Sequence, residues 1–163
     1  MAEPVQTPIG TITAEHFRPG QVRHQVVVGP KFLYSLFDPQ DQMHSVSQAF
    51  MAFVRDGDLP YRYLIVNDHI IDEAATRLKK RASIRIATTF LTALDDSRLY
   101  QFEYVPEETF EEAANIFVAW TDLNASFTDF VVAQHMNRLE IEHIVTYDQH
   151  YDAFDVTALP YQE

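Results

Sequence analysis

A chain of 163 residues without cysteine has no disulfide, no thiolate nucleophile and no Cys-rich zinc site, and it is long enough to bury the core of one domain. Its 24 acidic residues outnumber 12 basic ones, with Lys31, Lys79 and Lys80 the only lysines, for a formal net charge of -12. That charge works against passive binding of nucleic acid, so a nucleic-acid function needs a local basic patch, a metal, or both. There is no run of about eighteen apolar residues and no charged-then-hydrophobic leader, so a soluble cytoplasmic protein is expected. A salt-rich cytoplasm is one hypothesis for the excess carboxylate, and a loss of stability on adding KCl would count against it.

Residues 1–21 hold Pro4, Pro8, Gly10, Pro19 and Gly20 with weak periodicity and read as an extended arm preceding a domain over 22–163. Val22 to Val28 reads as a buried strand ended by Gly29-Pro30. Lys31 to Phe37 follows as a short helix, then a helical stripe of Met43, Val46, Ala49, Phe50 and Phe53 closed by Asp56-Gly57. Tyr63 to Val66 is a second buried strand, with Asn67 as N-cap of a helix to about Lys80 and a further helix from Ser83 to Leu94. Leu99 to Val105 suits a strand, and Pro106 with Glu107-Glu108 opens the next helix. Helices alternating with short strands predict a three-layer α/β/α domain around a mostly parallel sheet of four to five strands.

The most informative stretch is last. Ser126 followed by Asp129, ahead of Phe130, Val131, Val132, Ala133, Met136 and Leu139, is a capped helix start with a carboxylate in its first turn. Ile141 to Tyr147 is a short strand, and Asp148 stands where it stops. A helix antiparallel to the strand after it puts the helix N-terminus and the strand C-terminus at one edge of the sheet. Asp129 and Asp148 are therefore expected to face each other at the edge where open α/β sheets bind ligands.

The order of elements and acids resembles the PIN domain, the fold of the VapC-type toxin ribonucleases of toxin-antitoxin pairs, over about residues 22–159. Ser126-Phe127-Thr128-Asp129 and Thr146-Tyr147-Asp148 are similar to the third and fourth acidic positions of that family. Ile71-Asp72-Glu73 is similar to the second, and Leu36-Phe37-Asp38-Pro39-Gln40-Asp41 with His44 to the segment opening the second helix. The first acidic position falls on Gly29, which has no side chain to ligate a metal. The resemblance implies an endoribonuclease using Mg2+ or Mn2+, held weakly by Glu73, Asp129 and Asp148, with Thr128 and Thr146 orienting metal-bound water. It also implies RNA as substrate or ligand, a homodimer and an antitoxin partner. The alternative it leaves open is an inactive PIN domain that binds RNA or protein.

Each of these residues also has a plainer reading. Asp129 suits a helix dipole, Asp148 a turn, Glu73 a solvated helix face, and Thr128 and Thr146 local backbone bonding. Three converging carboxylates without a cation repel, so a shared site predicts a metal or a raised pKa. Arg77, Lys79, Lys80, Arg81 and Arg85 could grip an RNA backbone beside the crevice or simply favour a helix end. His135, His143 and His150 match no zinc motif, and His44 reads as a packing or capping group. Phe50, Phe53, Phe102, Phe117 and Trp120 fit core stripes, with base stacking as the other option.

Overall fold

Val26, Val27 and Val28 are each at most 2% exposed, as both faces of a central parallel strand require. They belong to the middle strand of a sheet covered by helices on both sides. The computed structural model describes residues 2–20 and 23–161.

The chain begins with a hairpin of β1 (Val5–Thr7) and β2 (Gly10–Ile12), then a 3-10 turn at Ala14–Phe17. Next come β3 (Gln25–Val28), α1 (Pro30–Phe37), α2 (His44–Arg55), β4 (Tyr63–Asn67), α3 (Asp68–Arg81) and α4 (Ile84–Asp96). The last elements are β5 (Tyr100–Glu103), α5 (Glu107–Ala119), α6 (Phe127–Leu139), β6 (His143–Val145), a 3-10 helix at Gln149–Phe154, and β7 (Thr157–Leu159). The main sheet has the order β5-β4-β3-β6-β7 with every neighbouring pair parallel. This is the expected three-layer α/β/α architecture. Helix α1 lies against α2 and α3, α3 against α4 and α6, and α5 against α6.

Local chemistry explains most boundaries. Asn67 and Ser83 are N-caps whose side chains accept from Ile70 N and Ile86 N. Glu140, at φ 57°, ends α6 in the left-handed conformation and turns the chain back toward β6.

Three expectations need correction. Residues 2–20 are not merely extended: Gly10 at φ 110° sits at the hairpin turn, and Ile12 and Phe17 are buried in the main core. Strands of three residues are too short to show a periodicity. The expected arm boundary at 21 and 22 lies outside the described residues. Second, β7 was not foreseen, because Thr157-Ala158-Leu159 earns strand geometry only through its pairing with His143, Ile144 and Val145. Third, Phe50 and Phe53 are core residues, but Phe102 and Phe117 are 42% and 41% exposed. Phe102 lies on an edge strand, and Phe117 contacts Phe127 and Phe130 on α6 from the outer helix α5.

Asn67 ties two layers together. Its carbonyl caps α3, while its amide donates to His135 Nδ1 on α6 at 3.0 Å, so this ring carries its own proton on Nε2. His135 is 3% exposed, and burial pushes the imidazole below its ordinary value near 6.5; burial shifts His143 the same way. A base with a depressed folded pKa leaves the unfolded chain binding more protons, so its stabilising contribution is complete above about pH 6.5 and is lost as pH falls toward the folded value. Melting temperature should therefore drop on acidification below pH 6.5, with a shallower dependence in His135→Gln. An identical slope in the two chains would contradict this account.

Candidate functional site at the carboxyl edge of the sheet

At the start of α6, Ser126 Oγ accepts from Asp129 N at 3.2 Å, and Asp129 Oδ2 accepts from Ser126 N at 3.0 Å. This reciprocal capping box fixes the carboxylate that the sequence places in the first turn. Asp129 Oδ1 accepts from the Tyr151 hydroxyl at 3.1 Å. Burial first, and then the Asp129 charge, raise the Tyr151 phenol well above its usual range, so it stays a donor.

Asp148 follows β6 by three residues. Its N–H donates to Thr146 Oγ1 at 3.2 Å, and its Oδ1 caps the 3-10 helix by accepting from His150 N at 3.1 Å. The tight turn brings the His150 ring back over its own cap. His150 Nδ1 is 2.8 Å from Asp148 Oδ1 and 4.0 Å from Asp129 Oδ2. The first contact is short but badly directed, leaving this buried nitrogen without a hydrogen-bond partner.

Asp129, Asp148 and His150 thus each present an atom within 4.8 Å of the others. They line a cleft of about 250 Å³ with Pro30, Lys31, Glu73, Asn124, Ser126 and Thr146. Glu73, on α3, forms part of the wall but stands outside the tight group. Its carboxyl is raised above the ordinary value by burial and then by the Asp129 charge, against the opposing pull of Arg77 and Lys31. A larger cavity of about 690 Å³ lies elsewhere, between the end of α6 and Val156, with Trp120, Phe130 and Met136 in its walls.

The structure separates other candidates from this cleft. Thr146 lines it, buried, whereas Thr128 is not among the lining residues. Arg77 lies one turn beyond Glu73 and stacks on the Tyr34 ring at 5.1 Å. Lys79, Lys80 and Arg81 end α3, and Arg85 begins α4; none of the four lines the cleft. Helix α3 starts at the carboxyl end of β4 and runs 14 residues, which carries that basic run toward the opposite edge. His44 donates from Nδ1 to the Ser35 carbonyl at 2.8 Å. Asp38 ends α1, buried, accepting from the Tyr34 hydroxyl.

Gly29 is at the carboxyl end of the central strand and gives the cleft no carboxylate. Its backbone is extended, with φ -82°, so any residue fits the conformation. A Cβ there would meet Thr146 Cβ and Oγ1, each at 3.3 Å, and Ile144 Cδ1 at 3.5 Å. Sequence reasoning set His150 aside for want of a zinc motif and gave Lys31 and Tyr151 no part in this site. The pair Asp148-x-His150 was visible, but its significance depends on a 3-10 turn that periodicity does not reveal.

The strand order, with carboxylates gathered where β3 and β6 end, defines a PIN/VapC-like fold. Among solved structures, VapC20 of Mycobacterium tuberculosis, a Sarcin-Ricin loop cleaving toxin, superposes with a TM-score of 0.72 at 21% identity, over 81% of this chain and 96% of that one. FitAcB from Neisseria gonorrhoeae superposes with a TM-score of 0.58 at 13% identity, over 83% of this chain and 97% of that one. No protein-family model matches the sequence, and no curated protein matches it. Among the described residues, no helix is long and apolar enough to cross a membrane.

Proposed function

We propose that the chain is a divalent-metal-dependent endoribonuclease of the PIN type, working as the toxin of a toxin-antitoxin pair. The observation that carries this reading is the convergence of Asp129, Asp148 and His150 within 4.8 Å. The donors fit a divalent cation: two carboxylates braced by other groups, and a buried imidazole nitrogen that lacks a partner. Adding a nitrogen to oxygen donors suits Mn2+ better than Mg2+.

When bound, the cation supplies Lewis-acid polarisation of a phosphoryl oxygen and lowers the pKa of a water. The chain's own residues do the rest. Ser126 and Tyr151 hold Asp129 in place, and the His150 backbone N–H holds Asp148. Glu73, with its raised pKa and position on the cleft wall, is suited to accept a proton from the attacking water. The substrate named for VapC20 makes a structured RNA loop the first one to test. An antitoxin and a second copy of the chain are the partners this reading includes. Arg77, Lys79, Lys80, Arg81 and Arg85 are its RNA-backbone contacts, reached by a substrate that extends beyond the cleft.

The test is cleavage of a mixed RNA pool containing stem-loops, with Mn2+ or with chelator, at low and near-molar KCl. Cleavage only with the metal supports the reading, and silence under every condition sinks it. Gly29 favours a second reading, an inactive PIN domain retained for binding. Gly29→Asp separates the two. Because Thr146 crowds the new Cβ, this variant should lose about 1–2 kcal/mol of stability in urea unfolding. If it cleaves RNA while the native chain does not, the binding-module reading is correct.

A further inference from the structure

We infer that Lys31 is a resident counter-cation of the acidic cleft, competing with a divalent ion for Asp148 and so setting the cleft's cation affinity. Lys31 Nζ is 3.5 Å from Asp148 Oδ2. Of the lysines and arginines, it alone lines the cleft among the described residues. Asp148 Oδ1 is already engaged by His150 N, so Oδ2 is its oxygen free of the local turn. Gly29 and Pro30, which precede Lys31 in the chain, carry no polar side chain that could take its place beside that oxygen.

The position is otherwise an unfavourable one for a lysine. Lys31 is the second residue of α1, whose first turn contains no acid, so its charge sits at the positive end of the helix dipole. A residue that breaks a local rule is expected to have a compensating role elsewhere. Here the compensation is Asp148, whose side chain is 11% exposed beside the 9% exposed Asp129. A cation entering among Asp129, Asp148 and His150 must approach an ammonium that already neutralises one of them. Like charges at that range repel, and because Lys31 is 45% exposed the repulsion is open to screening by salt.

This inference rests on the metal-site reading above. The experiment is titration of Mn2+ by calorimetry and by loss of the free-ion electron-spin signal, on the native chain, Lys31→Met, Lys31→Gln and Asp129→Asn. Both Lys31 variants are expected to bind Mn2+ about 10-fold tighter at low salt, with the gap closing at near-molar KCl as screening removes the repulsion. Asp129→Asn is expected to bind none. Equal or weaker binding by the Lys31 variants, with binding still dependent on Asp129, overturns the role of Lys31 and leaves the metal site standing. If no chain binds Mn2+, both are overturned.

Discussion

Asp129→Asn is expected to lower RNA cleavage at least about 100-fold, above the range typical of partners that act from outside the coordination shell. It should also remove the rise in melting temperature expected when Mn2+ is added to the native chain. The amide has the volume of the carboxylate but only one acceptor oxygen. It can satisfy Ser126 N or the Tyr151 hydroxyl, not both, and its NH2 then faces a donor. The fold should lose about 1–2 kcal/mol for that mismatch, which leaves it folded for assay. Cleavage within a few-fold of native would place the chemistry elsewhere in the molecule.

Phe17→Ala should cost about 3–5 kcal/mol in urea unfolding, the range for truncating a buried aromatic. Phe17 is fully buried, with its ring centroid 4.9 Å from that of Phe50 and 6.3 Å from that of Phe53. Its carbonyl accepts from the Tyr61 hydroxyl at 2.6 Å. Since a domain has only about 5–15 kcal/mol in total, this one truncation near the N-terminus should leave the fold marginal. A cost below about 1 kcal/mol would mean that residues 2–20 dock without contributing to the core.

What the sequence revealed follows from the range of the interactions involved. The capping residues Asn67 and Ser126 act within three positions of themselves, so they were readable, and with them the starts of α3 and α6. The approach of Asp129 to Asp148 follows from one rule of chain geometry, a helix returning to a parallel strand. Hairpin β1–β2 is built of two three-residue strands, too short to show an alternation, and strand β7 depends on its pairing with β6, so neither left a pattern of its own. His150 and Lys31 depend on side-chain reach across a turn and across two strand ends. The basic run was readable as a run, but its distance from the cleft depends on the length of α3.

The parallel register of β3 has a consequence for how the molecule comes into being. Its central strand pairs on one side with β4, which follows soon after, but on the other side with β6, where Val27 meets Ile144. Contacts that distant along the chain close late in folding. During synthesis Lys31 and Glu73 are made long before Asp129, Asp148 and His150, and the cleft is not complete until the chain through His150 has been made. Whatever chemistry the cleft performs therefore waits until nearly the whole chain has been made.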